Sequence, residues 1–270
     1  MTHSPQHLLE VRGLTKAYGA MKATNDLSFH VDRGEVLGIG GPNGAGKTTL
    51  FDLLSGVTPP TAGRILFEGA DITGLGASAI CHLGISRTFQ LNAVFNSQTV
   101  ADNLKTCAYF GSEKRLVPGL SYDRRSEIRA AEVLDLTGLT DYADVMAGAL
   151  PVLQLKLLMI GCAIVSHPKL LLLDEPVGGL NPAEIETCAA VFRQLRDFHG
   201  TTIVVIEHVM SFMTAFADRI MILHHGAKLH EGAAGSLADN PEVVDVFLGV
   251  SGAADSRKGA QAEEVGNATS

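Results

Sequence analysis

The chain has 270 residues, 46% of them hydrophobic, which is enough to bury a large core and excludes disorder as its main state. With 21 Lys and Arg against 29 Asp and Glu, the formal charge of −8 argues against the broad basic surface that nucleic-acid phosphates require and leaves room only for a local basic patch. Cys81, Cys107, Cys162 and Cys188 stand far apart with no CxxC pair, so they give neither a zinc framework nor a disulfide scaffold and read as small buried side chains in a reducing compartment. The start, MTHSPQHLLEVRG, lacks the pattern of a secretory signal, and no stretch reaches the roughly 18 apolar residues of a membrane helix. The expected location is therefore cytoplasmic, with any membrane reached through partners. A mean hydropathy of +0.20 agrees with apolar surface covered by other subunits.

Along the chain, LLEVRGL (8–14), ATNDLSFHV (24–32) and EVLGIGG (35–41) read as strands, the last a buried apolar run ending in glycine. KTTLFDLLSG (47–56) then places Leu50, Leu53 and Leu54 at helical spacing and stops on Gly56. RILFEG and DITGL suggest a further strand and a turn. Between Gln90 and Pro168 the pattern turns helical in TVADNLKTCAYF, DRRSEIRAAEVLDLTGL and LQLKLLMIGCAIV, which reads as an inserted helical segment. Alternation then resumes with KLLLLDE (169–175), a helix from about Pro182 to Phe198, TTIVVIE (201–207), a short helix and RIMILHHG (219–226). Fully apolar strands alternating with helices predict a mainly parallel sheet covered on both faces. Small, polar and charged residues dominate 251–270, which reads as a disordered tail.

GPNGAGKT (41–48) fits the phosphate-loop pattern and lies between a buried strand and a helix, the context that motif needs. Gly41, Pro42, Asn43, Gly44, Ala45 and Gly46 would wrap backbone N–H groups around phosphates, followed by Thr48 and Thr49 in the first helical turn. Lys47 would reach the β- and γ-phosphates as a point charge, and the Thr48 hydroxyl can ligate Mg²⁺. LLLLDEP (170–176) carries two carboxylates to the C-terminal edge of a strand, where open α/β sheets hold ligands. Asp174 would bind Mg²⁺, directly or through water, and Glu175 would act as general base on the water attacking the γ-phosphate.

With these motifs the sequence resembles the ATP-binding subunits of ABC transporters over nearly all of residues 8–249. The resemblance implies an α/β fold, a P-loop NTPase core with a mainly parallel sheet, an N-terminal antiparallel β-subdomain and an inserted helical subdomain. It divides the chain into a nucleotide-binding core of residues 1–90 and 168–250, a helical subdomain of 91–167 with a degenerate signature helix, and the tail. It also implies that Tyr18 stacks on adenine, that Gln90 in RTFQ contacts Mg²⁺ and the attacking water, and that His208 contacts the γ-phosphate. Taken alone, each has a plainer reading as a half-buried tyrosine, a capping glutamine or a hydrogen-bonded strand-end histidine. The strings GPNGAGKTTLFDLLSG, GRILFEGADITGL, GISRTFQ, GGLNPAE, IEHVM and VFLG resemble one branch, the ATPases of branched-chain amino acid type importers. Asn181 in GGLNP, where many ABC proteins carry aspartate, is typical of that branch.

One element departs from the family. Where the signature has leucine, serine, two small residues and glutamine, this chain has Leu150, Pro151, Val152, Leu153 and Gln154. The hydroxyl is gone, Pro151 has no N–H, and Val152 and Leu153 crowd a backbone that should approach phosphate closely. The function implied is an ATP-hydrolysing importer subunit with ATP and Mg²⁺ as cofactors, held at the cytoplasmic face of the plasma (inner) membrane by permeases. Expected partners are a second ATPase subunit with an intact signature, two permease subunits and an extracytoplasmic solute-binding protein, with no nucleic acid and no direct lipid binding. The alternative is a soluble ABC ATPase of DNA repair, translation or cluster assembly; the absence of a heptad run, a second cassette and a basic stripe disfavours it.

Overall fold

The computed structural model describes residues 7–88, 94–111 and 122–235. Two long strands, β1 (His7–Tyr18) and β2 (Met21–Asp32), form an antiparallel ribbon, and the five-residue β3 (Val36–Gly40) is buried throughout. Helix α1 (Lys47–Leu54) follows, then β4 (Ala62–Phe67), β5 (Ala70–Asp71), α2 (Ala77–Leu83) and β6 (Ile85–Arg87). The helical segment comprises α3 (Val100–Gly111), α4 (Arg124–Leu136) and α5 (Val152–Ile164). The chain returns through β7 (Leu170–Asp174), α6 (Pro182–His199), β8 (Thr202–Ile206), α7 (Met210–Phe216), β9 (Arg219–His224) and β10 (Ala227–Ala233). Two sheets result: an antiparallel one ordered β2-β1-β4-β5, and a six-stranded one ordered β10-β9-β3-β8-β7-β6 that is parallel except at β10.

The apolar strands are buried because the parallel sheet feeds two cores. Successive side chains of a strand point to opposite faces. Leu170 and Leu172 therefore join a core with the antiparallel sheet and α1, while Leu171 and Leu173 face the opposite core under α5, α6 and α7. Val204 and Ile206 divide from Ile203 and Val205 in the same way. That two-sided burial sets the C-terminal ends of β3, β7 and β8 side by side on one edge.

The strands and helices expected from the sequence are present, with β1 longer at both ends, β2 longer at its start and β4 shifted two residues toward the N-terminus. Among the described elements, α2, β6 and β10 were not expected, nor was the two-residue β5, which falls where a turn was read. Helix α2 has seven residues and buries only Ile80, so it carries no periodic signal. Strand β6 has three residues, and β10 is an edge strand of mostly intermediate exposure without apolar alternation. The reading of all four cysteines as buried is corrected. Cys188 is buried and its thiol is pushed up to about 11 by that burial, whereas Cys81, Cys107 and Cys162 are half-buried. Packing of α3 on α5 brings the Cys107 and Cys162 thiols close enough to perturb each other, raising the Cys162 pKa and lowering that of Cys107, which spacing along the chain does not reveal. The tail and VFLG lie outside the described residues. Among the described residues, no helix is long and apolar enough to cross a membrane.

Phe192 of α6 is fully buried and packs against Phe216, with ring centroids 5.6 Å apart, and against Phe212 at 6.5 Å. Phe192→Ala is expected to cost about 3–5 kcal/mol, because the cavity it leaves is walled by helices that cannot collapse fully. Urea unfolding followed by circular dichroism measures it; a loss below about 1 kcal/mol would contradict this packing.

Candidate active site

The loop between β3 and α1 is shaped by neighbouring backbone. A Cβ at Gly41 would run into the Leu223 carbonyl oxygen, and one at Gly46 into the Ala23 carbonyl oxygen; both glycines have positive φ, 139° and 98°. Gly226 ties the loop further, donating its N–H to the Ala45 carbonyl at 3.1 Å and accepting from the Asn25 N–H at 2.7 Å. Gly46 caps α1 without a side-chain hydrogen bond, so the N–H groups of the first turn stay open with the positive end of the helix dipole behind them. A cleft of about 440 Å³ lies there, lined by Met21, Lys22 and Ala23 of β2, by residues 43–49, and by Glu175, His208 and His225. Within the loop the buried Lys47 ammonium donates to the carbonyls of Gly41 at 2.6 Å and Pro42 at 2.9 Å. Burial lowers its pKa, and the charges of Glu175 and Asp174 oppose that shift.

Asp174 ends β7, almost fully buried. Its Oδ2 accepts from Arg87 Nη2 at 2.9 Å, while Arg87 Nη1 reaches Asp52 of α1 at 2.6 Å. Arg87 therefore bridges two carboxylates from the end of β6, with its guanidinium 5.5 Å from the Phe51 ring centroid. Burial raises the Asp174 pKa, partly offset by the bond to Arg87. Asp174 Oδ1 is buried with no hydrogen-bond partner among the described residues, and Thr48 stands exposed at the cleft. The unpartnered carboxylate oxygen and the Thr48 hydroxyl at the cleft are hard oxygen donors, the chemistry that fits Mg²⁺.

Glu175 follows in a left-handed backbone conformation, φ 49°, uncommon for a non-glycine residue and held by its N–H donating to the Ile206 carbonyl at 2.9 Å. Lys156 of α5 donates to its carbonyl at 3.1 Å. The side chain meets His208, with Nε2 3.1 Å from Oε1. Beneath them the buried Glu207 accepts from the N–H groups of Val177 at 2.8 Å, His208 at 3.0 Å and Val209 at 3.5 Å. Its pKa is raised by burial and lowered by those bonds. One carboxylate thus fixes the loops after β7 and β8 relative to each other.

The structure gathers residues 43–49, Glu175 and His208 around one cleft, with Asp174 behind it. Tyr18 lies at the end of β1, about half exposed, with the Lys16 ammonium 5.1 Å from its ring centroid, and it is not among the residues lining the cleft. Gln90 lies outside the described residues. Pro151 caps α5 without a side-chain bond, and Val152 is exposed beside it, so a helix does begin at the altered signature. Asn181 caps α6, its side-chain oxygen accepting from the N–H groups of Ala183 and Glu184 while its own N–H donates to the Glu184 carboxylate. Sequence reasoning missed Arg87, Asp52, His225 and Gly226. Arg87 opens the RTFQ string and Asp52 lies within GPNGAGKTTLFDLLSG, and that membership is the signal the sequence offered for them; their pairing with each other and with Asp174 is not visible in it.

A strand, a glycine-shaped loop, a buried lysine and a strand-end acidic pair together define a phosphate-loop nucleotide triphosphatase. Comparison with known proteins agrees. The family model described as ABC transporter matches residues 24–178. The high-affinity branched-chain amino acid transport ATP-binding protein BraF of Pseudomonas aeruginosa is 36% identical over 249 residues, covering 90% of this chain and 98% of BraF. The corresponding LivG of Escherichia coli is also 36% identical, over 251 residues and the same shares. A crystal structure of the ADP conformation of an ATP-binding cassette of an ABC transporter superposes with a TM-score of 0.82 at 29% identity, covering 90% of this chain and 99% of that one. The chain belongs to the ABC transporter family and carries its ATPase domain.

Removing the Arg87 guanidinium leaves two carboxylates unpaired, one of them buried. Arg87→Met should lose about 3–5 kcal/mol at pH 7 in metal-free buffer. Without Arg87 the folded pKa of Asp174 rises further above its unfolded value. The folded state then binds more protons than the unfolded one, and the variant's stability falls as pH rises from about 4 through the folded pKa. The deficit should therefore shrink when unfolding is measured at lower pH; a deficit independent of pH would remove Asp174 from its origin.

Proposed function

We propose that this chain is the ATP-hydrolysing subunit of a membrane importer for branched-chain or related amino acids. The observation that carries this reading is the meeting of Lys47, Glu175 and His208 at one cleft with Asp174 behind it, in a chain that spans nearly the full length of transport ATP-binding relatives. Lys47 leaves its loop carbonyls for the β- and γ-phosphates, and the N–H groups of residues 43–48 hold the phosphate oxygens. Thr48, Asp174 and Gln90 are the residues to hold Mg²⁺, which supplies charge neutralisation on the phosphates. Glu175 takes the proton of the attacking water, and His208, already on its carboxylate, orients that group and reaches the γ-phosphate. Tyr18 closes the adenine end. Residues 1–90 and 168–250 act as the nucleotide core, and 91–167 as a helical subdomain that meets the permeases at the cytoplasmic face of the membrane. The substrate is delivered by an extracytoplasmic solute-binding protein.

In this reading the helix start at Pro151 makes pairing unequal. Each ATP of such a dimer lies between one subunit's phosphate loop and the other's signature helix. Two copies of this chain would place Pro151, Val152 and Leu153 over both sites, and losing one positioned donor costs on the order of 3 kcal/mol in the barrier, about a hundredfold in rate. The partner is therefore a distinct ATPase subunit with an intact signature, which completes the site on Lys47.

Calorimetry and turnover test these roles. Lys47→Ala should abolish tight ATP binding, and unchanged affinity would overturn the loop's role. Glu175→Gln should keep binding and stop turnover in the assembled complex. This chain alone should hydrolyse ATP about a hundredfold more slowly than the complex; equal rates would contradict the unequal dimer.

A further inference from the structure

We propose that His7, His30 and Asp32 form a binding site for a divalent cation of the zinc class at the outer end of the antiparallel sheet, separate from the nucleotide cleft. His7 opens β1 and pairs in register with Asp32 at the end of β2. His30 stands two residues before Asp32 and so shares its face of the strand. His7 Nδ1 is 2.5 Å from Asp32 Oδ1, the two imidazole centroids are 4.1 Å apart, and one ligand atom from each of the three lies within 4.8 Å of the others. Donors arranged tetrahedrally around Zn²⁺ at about 2.0–2.2 Å stand roughly 3.4 Å apart, a spacing these side chains reach by small torsions without moving the strands.

The surroundings favour a cation here. The backbone under the ligands is fixed: the Asp32 N–H donates to Glu35 Oε2 at 2.7 Å, and the His30 carbonyl accepts from Arg219 Nη2 at 2.7 Å. Neighbouring charges are already paired, Arg12 with Glu10, Lys228 with Glu231, and Arg219 with Glu35 and Glu231. Asp32 is left facing the two imidazoles. Among the described residues no group hydrogen-bonds the His30 ring. A cleft of about 330 Å³, lined by His7, Arg12, Ser28, His30, Lys228 and Glu231 among others, opens onto the rings and gives water or a small anion access to a fourth position. Two imidazoles and one carboxylate suit Zn²⁺, Ni²⁺ or Cu²⁺ and not Mg²⁺, which prefers an all-oxygen shell. Met21, at the cleft end of β2, is separated from His30 by roughly 30 Å of extended strand, so the two sites take different ions independently.

The test is a Zn²⁺ titration of the full chain with nitrogen-15-labelled histidines. The ring nitrogens of His7 and His30 should shift together and saturate near one equivalent, while millimolar Mg²⁺ moves neither. By calorimetry, His30→Ala and Asp32→Asn should each weaken zinc binding at this site at least tenfold, with unchanged far-ultraviolet circular dichroism. Zinc that binds while the His7 and His30 signals stay still, or that binds His30→Ala as tightly as the unaltered chain, would overturn the site. Should a variant fail to fold, the titration of the unaltered chain decides alone.

Discussion

The phosphate loop is squeezed between two carbonyl oxygens, of Ala23 in the antiparallel ribbon and Leu223 in the parallel sheet, at separations that leave no room for a Cβ on Gly46 or Gly41. This close backbone approach joins the two sheets, sets the left-handed turn that starts α1, and frees the first-turn N–H groups from any capping side chain. It also turns the Gly41 and Pro42 carbonyls inward, where they hold the buried Lys47 ammonium. A side chain at either glycine would push the loop from its neighbours, and the lysine would lose the enclosure that lowers its pKa.

The cost of burying charge explains the architecture around the loop. Isolated buried charges cost several kcal/mol each, so Asp174 and Glu207 persist at strand ends only because other groups meet them. Arg87 meets Asp174 with one nitrogen and Asp52 with another, linking β7 to α1 across β6. Glu207 collects three backbone N–H groups and ties the loop after β7 to the turn after β8. Glu175 and His208 lie on those two loops, so the 3.1 Å approach of their side chains rests on a carboxylate that never reaches the cleft. The site is thus set by residues behind it as much as by those that line it.

Much of this was legible in the sequence because the physics was local. The strand EVLGIGG, the loop GPNGAGKT and the helix after it are neighbours along the chain, and an apolar strand ending in Asp174 and Glu175 announces its own geometry. The helix start near Pro182 was likewise legible, while the cap that Asn181 gives it emerged only in the structure. What stayed hidden was non-local or weakly patterned. Arg87 bridges residues 35 positions before it and 87 after it. The Cys107–Cys162 contact depends on how α3 packs on α5, and β10 is an edge strand whose residues alternate too little to be seen. Tyr18 stands half exposed at a strand end, where nothing in composition or spacing singles it out and only the family resemblance points to it.

The most direct measurement of the central claim, that phosphates replace loop carbonyls as the partners of Lys47 and dock on the open amides of the first turn, is amide hydrogen exchange of the full chain with and without Mg·ATP. Slowed exchange centred on residues 43–49, with smaller slowing in the loops carrying Glu175 and His208, is the predicted result. Unchanged exchange in residues 43–49 at saturating nucleotide, with protection confined to other segments, would contradict it.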